Sequence, residues 1–148
     1  MHKLFLLIIS TLFLAASPVE LSAQDTVEEQ EVCVGKNVLP EKEGDKCKFS
    51  TYIEIKKAYI SGISIFVHQG TEIKASIFNE FGVSAIDFGY NIKRDKIKIY
   101  HVFKPLNRWF IKRMLRKNLL SLIHEMQNGK SEYVDSRHQI KYILKPIN

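Results

Sequence analysis

Residues 72–103 read EIKASIFNEFGVSAIDFGYNIKRDKIKIYHVF, and this stretch decides the fold. Ile73, Ala75 and Ile77 alternate with Glu72, Lys74 and Ser76, then Asn79-Glu80-Phe81-Gly82 reverses the chain. Ile86, Phe88, Tyr90 and Ile92 alternate in turn with Ala85, Asp87, Gly89 and Asn91. The charged tip Lys93-Arg94-Asp95-Lys96 leads into Ile97, Ile99, His101 and Phe103. A period of two marks half-buried strands, and reversals this short join antiparallel neighbours.

Working outward, Tyr52–Val67 carries Ile53, Ile55, Tyr59, Ile63, Ile65 and Val67 at odd positions. It reads as one long strand with a bend or bulge at Ser61-Gly62. Beyond Pro105, Asn107 suits a helix N-cap, and residues 108–127 contain neither Gly nor Pro before Asn128-Gly129 closes the helix. Phe110, Met114, Leu115, Leu119, Leu122 and Met126 form its apolar stripe. A final hairpin follows, with Tyr133 and Val134 on one arm and Ile140, Tyr142 and Leu144 on the other. The expected fold is α+β: a curved antiparallel meander of about six strands, half-barrel-like, covered by one main helix.

The N-terminal segment reads differently. Met1-His2-Lys3 is basic, Leu4–Ala16 is apolar except for Ser10 and Thr11, and a more polar stretch ends in Leu21-Ser22-Ala23. This is the layout of a secretory signal peptide, since 13 residues fall short of the roughly 20 that span a bilayer. The expected organisation is a signal peptide over 1–23, an acidic flexible leader over 24–48, and the sheet-plus-helix domain over 49–148. Export, cleavage near Ala23 and a periplasmic location follow as expectations.

Charge is segregated along the same boundaries. Residues 24–48 carry seven acidic and four basic side chains, whereas 49–148 carry eight and seventeen, so the overall +6 conceals a strongly basic body. Cys33 and Cys47 are the only cysteines. In an oxidising compartment they can close a loop worth about 3 kcal/mol in the chain-entropy model. Two free thiols are the competing reading, and there is no Cys-x-x-Cys spacing.

No constellation names an activity. His124-Glu125 lacks the second His that a zinc-protease helix needs one turn on, there is no Gly-x-Ser-x-Gly elbow, and no glycine-rich phosphate loop is present. No catalytic residue, metal site or cofactor is expected. The basic cluster Arg108, Lys112, Arg113, Arg116 and Lys117, with Trp109 among it, is open to two readings. It is either a solvated helix face or a contact for an anionic membrane surface or envelope protein. Export argues against nucleic acid. The turn at Asn79–Gly82 is likewise either plain turn chemistry with Phe81 packed inward, or a recognition edge formed by Asn79 and Glu80 beside an exposed Phe81.

Three segments resemble a group of uncharacterised exported proteins of the Bacteroidota. They are Lys56-Lys57-Ala58-Tyr59-Ile60-Ser61-Gly62-Ile63, residues 76–88 (SIFNEFGVSAIDF), and Leu106-Asn107-Arg108-Trp109-Phe110-Ile111-Lys112-Arg113 with Leu115-Arg116-Lys117-Asn118-Leu119. The Leu-Ser-Ala-Gln junction at 21–24 resembles signal peptides of the same group. More distantly, the order of strands around one helix looks like the half-barrel of periplasmic lipoprotein-localisation carriers, which hold lipid chains between sheet and helices. That resemblance implies an apolar cavity. Its candidate walls here are Ile63, Ile65, Ile77, Phe88, Ile99, Phe103, Phe110 and Met114, with a lipid or other apolar ligand as the implied partner.

Overall fold

The computed structural model describes Cys33 and residues 38–147. The signal-peptide reading, and the leader up to residue 37 except Cys33, lie outside the described residues. Seven strands form one antiparallel sheet: β1 (Lys46–Ile55), β2 (Ala58–Gln69), β3 (Glu72–Asn79), β4 (Ser84–Asn91), β5 (Lys96–Val102), β6 (Glu132–Asp135) and β7 (Ile140–Pro146). Their spatial order is β5-β4-β3-β2-β1-β7-β6. The single long helix α1 (Trp109–Gln127) joins β5 to β6 and packs against both of these edge strands. The sheet is therefore curled into a half-barrel, and the helix covers edges that would otherwise invite pairing with another chain.

Seven strands replace the expected six because Tyr52–Val67 is a hairpin, not one strand. The chain reverses at Lys56-Lys57, with Lys56 in the left-handed region at φ 52°, and β1 then pairs with β2. Across this turn the inward parity switches. Phe49, Thr51 and Ile53 face in from β1, whereas Ser64 and Phe66 face in from β2. Paired residues share a face, as in Ile53 with Ile60 and Phe49 with Ser64. Ile63 and Ile65 consequently point outward, and Ile63 is 47% exposed.

A second phase change corrects β5. Register slips between Asp87 and Phe88 leave Tyr100 unpaired, so Val102 rather than Phe103 stands opposite Ile86. Another slip, between Ile77 and Phe78, leaves Ala85 as the extra residue of β4. Bulges bend and twist the strand that carries them, which is how this part of the sheet acquires its curl.

The core is aromatic. Phe66 lies edge-on between Phe49 and Phe88, with ring centroids 5.3 Å and 6.0 Å apart. All three are fully buried, with Ile77, Ile86, Leu144 and Tyr142 around them. From the helix, Leu115, Asn118, Leu119, Leu122, Ile123 and Met126 complete it. This is the stripe expected from sequence with Asn118 and Ile123 added, Phe110 removed and Met114 only partly buried. Asn118 is tolerated there because its Nδ2 donates to the Tyr142 hydroxyl at 3.2 Å. Burial pushes that hydroxyl up to about 12. Thr51 and Ser64 satisfy each other across β1 and β2 at 2.6 Å.

The acidic leader is not draped loosely up to residue 48. β1 begins at Lys46, and Val38, Leu39 and Pro40 are buried. Val38 N–H donates to the Met126 carbonyl at 3.3 Å, which seats this segment against the end of α1. Cys33 and Cys47 are joined in a disulfide, with Cα atoms 5.5 Å apart, so the same segment is tied to β1 as well.

Candidate functional site

Antiparallel pairing gathers four chain reversals at one end of the half-barrel. They are the β1–β2 turn, the β3–β4 tip, the entry into α1 and the β6–β7 turn. Hydrogen bonds stitch them together: Lys56 N–H to the Gln139 carbonyl at 3.2 Å, and Phe103 N–H to the Ala85 carbonyl at 2.8 Å. Ser61 Oγ donates to Glu80 at 2.8 Å.

The helix entry differs from its sequence expectation. Arg108, not Asn107, occupies the N-cap position, no side chain caps it, and the first turn holds no acidic residue. Ile111 packs this first turn against the core, while the residues before it face solvent. Trp109 is 75% exposed, Phe110 is also exposed, and their rings meet edge-on at 6.2 Å. Asn107, Trp109, Lys112, Arg113 and Arg116 line an open hollow of about 440 Å³. Arg108 precedes this hollow and Lys117 lies beyond it, both exposed. Among the described residues, none of these five cations is in an ion pair. The acidic leader residues Glu28, Glu29 and Glu31, which the sequence offers as intramolecular partners for this patch, lie outside the described residues.

The β3–β4 tip sits beside this entry. Asn79 Oδ1 accepts from the backbone N–H of Phe81 at 3.0 Å and of Val83 at 2.9 Å. Gly82 supplies the left-handed residue at φ 76°. The turn chemistry is thus present, but Phe81 does not pack inward: it is 86% exposed, the most exposed large apolar side chain among those described.

The eight residues expected to wall an apolar cavity do not share one surface. Ile77 and Phe88 are buried within the packed core, and Ile99 and Met114 are partly buried against it. Ile65 is half-buried on the outward face of β2, and Ile63, Phe103 and Phe110 are exposed. Of the residues expected to meet an anionic surface, Trp109, Lys112, Arg113 and Arg116 do come together.

Two carboxylate–imidazole pairs were not legible as pairs in the sequence. Asp95 Oδ1 accepts from His124 Nε2 at 2.7 Å and from the Tyr90 hydroxyl at 2.9 Å, tying the β4–β5 tip to α1. The hydrogen bond from His124, then that from Tyr90, holds the Asp95 carboxyl below its ordinary range. Asp135 Oδ2 pairs with His138 Nδ1 at 2.6 Å while its Oδ1 accepts the backbone N–H groups of Arg137 and His138. The i,i+3 spacing of the second pair is the one local signal that could have shown it. Each pair fastens a turn. No group of three or more His, Cys, Asp or Glu that could hold a metal ion occurs among the described residues.

Burial opposes the charged form of Asp135, but hydrogen bonds from His138 and Asn118 outweigh it and hold the carboxyl below its ordinary range. A depressed carboxylate adds stability that is full above its unfolded value and disappears as pH falls through the folded one. Asp135→Asn should therefore flatten the fall in unfolding free energy below about pH 4 and cost about 1 kcal/mol at neutral pH. An acid-unfolding profile identical to wild type would contradict this account of the turn.

No family model, curated protein or solved structure matches this chain. The fold and its polar end define an α+β half-barrel with a basic, aromatic-tipped helix entry. No helix among the described residues is long and apolar enough to cross a membrane.

Proposed function

We propose that this protein is a non-enzymatic module of the cell envelope that docks on an anionic, phosphate-bearing surface through the first half of α1. One observation carries the reading. Trp109 projects into solvent from a turn whose next residues, Lys112, Arg113 and Arg116, surround an open hollow and have no acidic partner among the described residues. An indole with a wet edge and an apolar body suits an interface, and each Lys or Arg near an anionic surface contributes about 1 kcal/mol. A solvated helix face would account for the cations but not for the exposed Trp109-Phe110 pair beside them.

The alternative of an apolar ligand held between sheet and helix draws support from the curl of the sheet around a single helix. The aromatic filling of that curl weighs against it.

The test reverses Lys112, Arg113 and Arg116 to Glu together. Co-sedimentation with vesicles containing phosphatidylglycerol should weaken by about 100-fold, on the scale of three lost cation contacts. Binding to phosphatidylcholine vesicles should stay weak for both proteins. Equal binding of the triple variant and wild type to the acidic vesicles would remove the basic face as the docking surface.

A further inference from the structure

We infer that the protein meets an acidic phospholipid bilayer end-on, with the β3–β4 tip as a second insertion point beside the helix entry. This rests on the reading of the helix entry as an anionic-surface contact and adds the occupant, the orientation and a new anchor, Phe81.

Three observations converge. First, the tip and the helix entry are neighbours, since Phe103, which leads into α1, is hydrogen-bonded through its N–H to Ala85 at the start of β4. Second, both expose apolar side chains at the same end of the half-barrel: Phe81 and Val83 from the tip, Trp109 and Phe110 from the helix. Isolated exposed apolar residues are ordinary, but four large ones gathered at one pole mark a contact. Third, the surrounding charge is complementary to acidic headgroups. Lys56 and Lys57 on the β1–β2 turn, Lys104, and the cations of α1 belong to this end and outnumber its acids. Glu80 accepts from Ser61, Asp135 holds His138, and Glu54 stands on the outward face of β1.

A protein partner with an acidic face would satisfy the cations without calling for apolar tips on two separate loops. An interfacial bilayer satisfies both, because aromatic rings enter at the headgroup level while cations stay among phosphates. The tip is also prepared for insertion. Asn79 Oδ1 holds the two N–H groups of Phe81 and Val83, so they reach the apolar layer already paired.

The chain has a single tryptophan, so position 109 reports on itself. The emission of Trp109 should shift to the blue on vesicles of mixed phosphatidylglycerol and phosphatidylcholine, and acyl-brominated lipid should quench it. In a Trp109→Phe background, Phe81→Trp moves the probe to the tip, where the same shift and quenching are expected. Phe81→Ala should weaken partitioning about tenfold, with thermal unfolding unchanged because the side chain is exposed. Soluble glycerol phosphate should reproduce none of the shift. All variants share the same N-terminus, so differences between them arise at the substituted positions.

If the probe at 109 is quenched while the probe at 81 is not, and Phe81→Ala binds like wild type, the basic face is a docking surface but end-on insertion is wrong. If neither probe responds to acidic vesicles, the surface reading fails and this inference with it. A shift produced equally by glycerol phosphate would replace the bilayer by a free phosphate ligand.

Discussion

Gly62→Ala is expected to unfold the protein or destabilise it by about 3 kcal/mol or more, a large part of the 5–15 kcal/mol that typically holds a domain together. The cause is space, not backbone freedom. Gly62 sits in β2, between Thr51 of β1 and Asn79 of β3. A methyl group there would overlap the Phe78 carbonyl oxygen, and would lie 2.8 Å from the Phe78 carbonyl carbon and 2.9 Å from that of Asn79. All three are backbone atoms of a paired strand, so no side-chain rotation can relieve the clash. Gly70 is the control: its φ of 62° favours glycine but nothing lies within 4 Å of an added methyl group. Gly70→Ala should cost only about 1 kcal/mol. Urea titrations of the two variants would check this, and a Gly62→Ala protein within 0.5 kcal/mol of wild type, roughly the scatter of neutral surface changes, would mean that β2 and β3 are paired differently. Because β3 carries the β3–β4 tip, the same contact sets where Phe81 is presented.

Gly62 also shows where local reading stops. Its place in the largely apolar alternation of 53–67 reads as a bend, whereas the reversal lies earlier, at Lys56-Lys57. Two lysines carry none of the Asn-Gly or Asp-Gly chemistry that marks a tight hairpin. That turn shifts the inward parity of everything up to the next reversal, which is why Ile63 and Ile65 face outward. Where turn signals are strong, as at Asn79–Gly82 and Lys93–Lys96, strands β3 and β4 and their inward residues Ile73, Ala75, Ile77, Ile86, Phe88 and Tyr90 are legible. The bulge at Tyr100 was not, since an unpaired residue is defined by the partner strand and leaves no periodic trace of its own.

The candidate site divides along the same line. The basic cluster and Trp109 were visible because they are contiguous in one helix. Their exposure was not, because Phe110 satisfies the apolar stripe as well as Ile123 does until the helix is laid against the sheet. The juxtaposition with Phe81 depends on a hydrogen bond between Phe103 and Ala85, eighteen positions apart, and pairing at that distance cannot be read from composition or spacing.

Phe66→Ala should cost about 4 kcal/mol, and the outcome bears on which reading of the half-barrel is right. Phe66 is fully buried and is the middle ring of the Phe49–Phe66–Phe88 ladder, edge-on to both neighbours. If the interior is a packed core, truncation leaves a void that its stiff, paired strands cannot collapse, and the loss combines transfer and cavity terms. A dry apolar void of that kind admits small hydrophobes, so benzene should restore part of the lost stability of the variant while leaving wild type unmoved. If the interior is instead built to hold a lipid chain, Phe66 is one wall of an existing space. Its removal then enlarges that space, costs on the order of 1 kcal/mol, and changes lipid uptake rather than stability. Urea unfolding with and without benzene separates these cases. The docking reading adds a further requirement. At temperatures where Phe66→Ala is folded it should bind acidic vesicles as wild type does, because Trp109, Arg113 and Arg116 are exposed and the half of the helix that carries them is seated by Ile111, Met114 and Leu115, none of which belongs to the aromatic ladder. A variant that keeps its fold yet loses vesicle binding would place the contact inside the barrel and overturn the surface assignment.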